Sequence, residues 1–231
     1  MSLAHSPSIV TNGLVLCLDA GNRKSYNAGI STTAWNDLSG GGNTGTLVNG
    51  VGYNSGNGGS LSFDGTDDDC DLLATPPVNG NEITFSVWNY GIDARTSSII
   101  WLSGSSGIRM FQVHLPWNNS IVYFDAGNGV SGYDRIEKAA STSEYQGWHH
   151  WTFTKNATNG TMYIYRNGSL WHSGTGKTLP IGIPDTIRSI GSAGSNNYHR
   201  GYISNLHLYN KELTASEIQQ NFNALRGRFG I

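Results

Sequence analysis

The chain has 231 residues, 31 of them glycine, with 11% aromatic and 13% charged residues and a formal net charge of −2. Disordered chains are charged and aromatic-poor, so this composition excludes one, and no basic excess marks nucleic acid or an anionic membrane as a partner. No apolar run approaches the roughly 20 residues of a membrane-spanning helix.

Taken in chain order, runs of alternating apolar residues predict strands at LVLCL (14–18), SLSFDG (60–65), ITFSVWNY (83–90), SSIIWL (97–102) and IRMFQVHL (108–115). SIVYFDA (120–126), WHHWTFTK (148–155), TMYIYRNG (161–168) and GYISNLHLY (201–209) continue the series. Asn-Gly or Asp-Gly pairs at 12–13, 49–50, 64–65, 79–80, 159–160 and 167–168 punctuate the runs as turn signals. Strands at this spacing without intervening helices predict a single all-β domain over residues 1–231, a jelly-roll sandwich of two antiparallel sheets. One short C-terminal helix is expected, because Thr214 and Glu217 form a capping box ahead of Ile218, Phe222 and Leu225 at helical spacing. Met1 to Leu3 carry no weight, and the N-terminus has neither the basic nor the apolar segment of a secretion signal. Two cysteines make no disulfide framework; Cys17 reads as a small buried hydrophobe, Cys70 lies among aspartates, and no bridge between them is expected.

Neighbouring strand residues point to opposite faces. In GWHHWTFTKN, Trp148, His150, Thr152 and Thr154 therefore share one face and His149, Trp151 and Phe153 the other, so the two histidines cannot chelate one metal from this strand. In ITFSVWNY, Phe85 and Val87 belong to the core face and Trp88 and Tyr90 to the outer one. The same parity turns Gln112, His114 and Tyr123 outward, with Trp117 in the adjoining loop. Aromatic faces beside amide and imidazole groups suit a sugar, giving six candidate carbohydrate-binding residues: Trp88, Tyr90, Gln112, His114, Trp117 and Tyr123. The competing reading is that a second layer or a partner chain covers these rings.

Asp64 to Asp71 holds five carboxylates in eight residues. Calcium takes six to eight oxygens, and a Gly/Asp loop supplies them, so a calcium ion near Asp64, or near Asp37 and Asn43, stands against a solvated acidic loop. Asp67, Asp69 and Asp71 are the nearest same-face carboxylates.

GWHHWTFTKNATNGTMYIYRNGSL resembles the tryptophan-histidine strand and Tyr-x-Asn-Gly hairpin of concanavalin A-like, laminin-G-type jelly rolls. WNDLSGGGNTGTL, GGSLSFDGTDDDCDL and IGSAGSNNYHRGYISNLHLYNKELTASEI resemble that family's glycine-rich loop, FDG strand and closing strand with helix, in the family's order. LVLCLDAGNRKSY and IQQNFNALRGRFGI resemble segments of tailed-phage structural proteins. The chain departs from the family at Ser204 and Asn205, where an Asp-Glu pair is common, at Asp69, where an aromatic is usual, and at Arg166, a position normally apolar. Enzymes of this fold that cut β-glucans carry Glu-x-Asp-x-x-Glu on one strand, and none of the five glutamates here belongs to such a run.

The resemblance implies a non-catalytic glycan- or polysaccharide-binding, or structural, module, extracellular or displayed on a virion, with virion subunits or further copies of itself as protein partners. Two alternatives stand beside it. One is a glycoside hydrolase or lyase with an atypical carboxylate pair; the other is a purely structural subunit-interaction domain.

Overall fold

The computed structural model describes residues 7–30, 33–78, 80–104 and 108–231, with Ile187 by its backbone alone. Met1 to Leu3 and Asn79 fall outside the described residues. Strands are numbered in chain order. One antiparallel sheet contains β1 (Leu14–Asp19), β4 (Gly52–Asn54), β5 (Ser60–Asp64), β7 (Glu82–Gly91), β12 (Gly147–Asn156), β13 (Thr161–Arg166), β14 (Ser169–Thr175) and β16 (Arg200–Tyr209). Its order is β14-β13-β12-β7-β16-β5-β4, with β1 paired to the C-terminal half of β16. The second sheet contains β2 (Ala34–Trp35), β3 (Gly45–Val48), β6 (Asp69–Leu72), β8 (Ile100–Ser103), β9 (Arg109–His114), β10 (Ile121–Gly127), β11 (Tyr133–Ala139) and β15 (Ile187–Ile190). Its order is β11-β10-β9-β8-β15-β6-β3-β2. This is the jelly-roll sandwich expected from the sequence.

The inner faces meet in one apolar core that includes Leu16, Phe63, Phe85, Phe111, Phe124 and Phe153. Rings pack edge to face across it, Phe85 against Phe111 at 5.9 Å and Phe124 against Phe153 at 5.4 Å. One buried charge also joins the sheets: Lys155 on β12 donates to the carbonyl of Ala126 (2.7 Å) and the carboxylate of Asp134 (2.8 Å).

Each of the nine predicted runs forms a strand. The elements not predicted are short or polar: β2, β3, β4, β6, β11, β14, β15 and a single helical turn, α1 (Thr142–Tyr145). Glu137 lies in β11 and Glu144 in α1. Arg166 is held at its polar head, donating from Nε to the carbonyl of Glu144 at 2.9 Å. The Asn-Gly signals do two different jobs. Asn167 and Gly168, at φ 51° and 78°, form a two-residue hairpin between β13 and β14. Asn49-Gly50 and Asp64-Gly65 instead carry the chain from one sheet to the other, since β3 and β4, and β5 and β6, belong to different sheets. Cys17 and Cys70 are both free and buried.

The predicted helix is α2 (Ala215–Leu225), capped by Thr214 and Glu217 in a reciprocal box. It lies on the outer face of the first sheet. Ile218 packs with Val10, Tyr165 and Tyr209, and Phe222 with Trp88 and Phe229. β7 is consequently covered on both faces, by the second sheet on one side and this helical layer on the other.

Candidate functional site

The six candidate residues separate onto opposite outer faces of the sandwich. Trp88 and Tyr90 lie on the first sheet; Gln112, His114 and Tyr123 lie on the second, with Trp117 in the turn that follows β9.

On the first sheet the expectation for Trp88 is overturned. Its side chain is 0% exposed, with the indole 4.0 Å from the ring of Phe229, 5.8 Å from Phe222 and 5.2 Å from His150. The amphipathic helix places its apolar stripe over the face that strand parity alone left open. Tyr90 stays partly exposed, edge-on to Trp148 and Tyr202, beside Gly91, Ile92 and Gln146. His149 and His150 diverge: His149 contacts Asn167 and Arg166, whereas His150 is buried under α2.

The second sheet carries the more developed site. Register aligns Ser189 (β15), Trp101 (β8), Gln112 (β9), Asp125 (β10) and Arg135 (β11) in one row across its outer face. His114 and Tyr123 form the next row. Between β8 and β9 the register slips, Leu102 facing Phe111 but Ser103 facing Arg109, so Met110 is an extra residue. This β-bulge turns Arg109 out of the core parity it would share with Phe111 and Val113. The result is a cleft of about 210 Å³ lined by Arg109, His114, Trp117, Asn119, Tyr123 and Arg135.

A buried carboxylate organises it. Asp125, with a side chain 0% exposed, accepts from Arg135 Nε (2.6 Å) and Nη2 (2.8 Å) and from Arg109 Nη1 (2.8 Å). The hydrogen bonds that Arg135 donates to Asp125, opposed by burial, raise its guanidinium further above its already high range. The guanidiniums also lie over aromatic rings: Arg135 is 4.6 Å from the centroid of Tyr123, and Arg109 is 5.0 Å from Tyr133 and 5.7 Å from Trp101. Asn119 donates to the Tyr123 hydroxyl at 2.8 Å.

His114 forms one wall, its ring 4.4 Å from that of Trp117. Burial pulls its pKa down to about 4, so it is neutral at pH 7. Its Nδ1 meets the carbonyl of Ser97, which can only accept. The proton is therefore on Nδ1, and Nε2 presents a lone pair. Gln112 differs from expectation: it is fully buried and donates to Ser98 Oγ at 2.7 Å, supporting the floor without facing solvent.

The candidate calcium ligands divide as well. Asp37 accepts from the amides of Cys17, Ser39 and Asn43 and from the Ser39 hydroxyl, while the Asn43 amide donates to the Val15 carbonyl. Both residues close the glycine-rich loop. Asp64 gathers instead with Asp67 and Asp68, their oxygens within 4.8 Å of one another. Asp69 is buried beside Ser189, and burial pushes its pKa up to about 6, while Asp71 is exposed.

A family profile described as the concanavalin A-like lectin/glucanases superfamily (Laminin_G_3) matches residues 63–219. The chain belongs to this superfamily. A search of the curated proteins found no match. Solved structures with the same fold include the receptor-binding domain of botulinum neurotoxin C/D mosaic serotype, at TM-score 0.69 and 16% identity over 92% of this chain and 51% of that one. The binding domain of Paraclostridial Mosquitocidal Protein 1 gives TM-score 0.69 and 16% identity over 93% and 52%. The binding domain of botulinum neurotoxin DC, solved in complex with SialylT, gives 0.65 and 18% over 93% and 52%. This laminin-G-type chain thus spans about half the length of those structures.

Arg109, Trp101, Asp125, Tyr133 and Arg135 were missed by the sequence reading. Arg109 is hidden by the bulge. β11 is too polar to read as a strand, although YDRIEKA does alternate around Ile136.

Proposed function

We propose that this protein is a non-catalytic carbohydrate-binding module whose site is the cleft on the outer face of the second sheet. The observation that carries the reading is the cleft itself, where Trp117 and Tyr123 stand beside fixed polar groups, the Arg109 and Arg135 guanidiniums, the Asn119 amide and the His114 imidazole. A sugar needs both, an apolar ring face for its C–H surface and donors and acceptors for its hydroxyls. The volume falls below the roughly 300–1,000 Å³ of pockets that enclose a whole small molecule, so the cleft engages one unit of a longer glycan. The fold relatives add support, since one binding domain was solved with SialylT. Resemblance of the chain ends to tailed-phage structural proteins supports an extracellular, particle-displayed location.

Calcium is retained as a proposal for Asp64, Asp67 and Asp68, whose three carboxylates are the only such group among the described residues. It is accessory to this reading.

A glycan array probed with the wild type and with Trp117→Ala and Tyr123→Ala tests the function. Binding by the wild type that both variants lose supports the reading. Binding retained by both variants places the site elsewhere and refutes it.

A further inference from the structure

We infer that the Arg109–Arg135 cleft takes the carboxylate of an acidic saccharide, an inference that rests on the glycan-binding reading above. The first observation is a charge count. Asp125 offers one buried carboxylate to two guanidiniums, and the cleft lining contains no other acid. Glu137 faces Tyr123 across β10 and β11 and its charge reaches Arg135, but it is exposed, screened by solvent and outside the lining. Lys138 is turned to the Trp171 ring and carbonyl. Within the lining itself, then, two guanidiniums share one buried carboxylate.

The second observation concerns donors. Arg135 commits its Nε–Nη2 edge to Asp125, and Arg109 commits Nη1 to Asp125 and, at 3.1 Å, to the Tyr133 hydroxyl. Among the described residues, no acceptor meets Nε or Nη2 of Arg109 or Nη1 of Arg135. Their side chains are 28% and 34% exposed, so these N–H groups are accessible. A planar guanidinium edge matches a carboxylate through two parallel, charge-assisted hydrogen bonds, a geometry that a lysine cannot supply. Asp125 and the flanking rings hold both planes in place before ligand arrives, which lowers the ordering cost of binding.

The third observation makes the ligand a saccharide. Both arginines share the cleft lining with the Tyr123 and Trp117 rings, and neutral His114, in the same lining, keeps Nε2 as an acceptor for a hydroxyl proton. A carboxylate carried on a hydroxylated ring uses all of these groups; a simple organic acid uses the arginines alone.

The test is calorimetric titration of the full chain with oligogalacturonate, oligomannuronate and sialyllactose, each compared with its carboxyl-reduced counterpart. Dextran sulfate and poly-glutamate are the sulfate and peptide controls. At least one carboxylated saccharide should bind ten-fold or more tighter than its reduced form, with the difference shrinking as salt rises. Arg109→Gln should abolish that preference. Arg109→Lys keeps a cation beside Asp125 and so guards against misfolding; it should lose most of the preference while melting as the wild type does. Equal affinity for acidic and reduced forms overturns the carboxylate inference and leaves the glycan reading standing. Tighter binding of dextran sulfate, or equal binding of poly-glutamate, overturns it in favour of a sulfate or peptide ligand. Absence of binding to every saccharide, acidic or reduced, removes both the inference and the reading beneath it.

Discussion

Replacing Trp88 by alanine separates a structural ring from a binding platform. The indole is 0% exposed and sandwiched between β7 and the C-terminal layer, with Phe229, Phe222 and His150 all within 5.8 Å of it, centroid to centroid. Removing a buried tryptophan costs about 3–5 kcal/mol, because the lost transfer energy is joined by a cavity that rigid strands cannot close. In a domain of 150–250 residues each kcal/mol lowers the melting temperature by about 2–4 °C, so a fall of about 6–20 °C is expected. Differential scanning calorimetry reads it directly, with Leu170→Ala as control, since that side chain is 57% exposed and should shift melting by less than about 2 °C. Below its melting point Trp88→Ala should retain the saccharide affinity of the wild type, because the cleft lies on the opposite sheet. A Trp88→Ala protein that melts with the wild type and loses sugar binding would refute the burial argument and restore the ring as a platform.

Three further outcomes are expected. Incubation with laminarin, lichenan and agarose should release no reducing ends; turnover abolished by Asp69→Asn or Asp71→Asn would make the acidic segment catalytic. Millimolar calcium should raise the melting temperature over that in excess chelator by mass action on the folded state, and coincident curves would end the metal proposal at Asp64, Asp67 and Asp68. Burial holds His150 and His199 at about 3 and His114 and His207 at about 4, whereas an unfolded histidine titrates near 6.5. Their contribution to stability is complete above pH 6.5 and is lost as the pH falls through about 4 for His114 and His207 and about 3 for His150 and His199. Asp69, raised to about 6, acts in the opposite sense and fades as the pH rises through that value. His150→Phe should flatten the acid limb of a stability–pH curve, because neither imidazole nitrogen has a partner among the described residues; an unchanged limb would count against it.

Much of this fold was legible because strands such as β7 and β12 alternate and its helix announces itself with a capping box. β7 and β12 could be read residue by residue, and the divergence of His149 and His150 followed from parity alone; β16 slips register between Ile203 and Asn205, which no pattern announces. Two kinds of feature were hidden. Short strands such as β2 and β15 have too few residues for any period to emerge and exist only through their neighbours. The site itself depended on a single inserted residue, Met110, which reversed the face of Arg109, and on a polar strand whose partners were unknown until β10 paired with it. The misplaced platform at Trp88 has a simpler cause. Parity states which side a ring is on, while coverage depends on where a helix more than 120 residues later comes to rest.

Both ends of the described chain converge on that helix. The Val10 amide donates to Asn221, the Ser8 carbonyl accepts from Gln220, and Arg228 anchors the last turn to Asp19 at 3.0 Å. A body joined at Pro7 or at Ile231 would meet the unit on the side that carries α2. The arginine cleft lies on the reverse side of the sandwich, pointing away from the join. Tethered to a larger body, the unit would hold its cleft outward, toward whatever surface that body approaches, with no hinge needed to turn it.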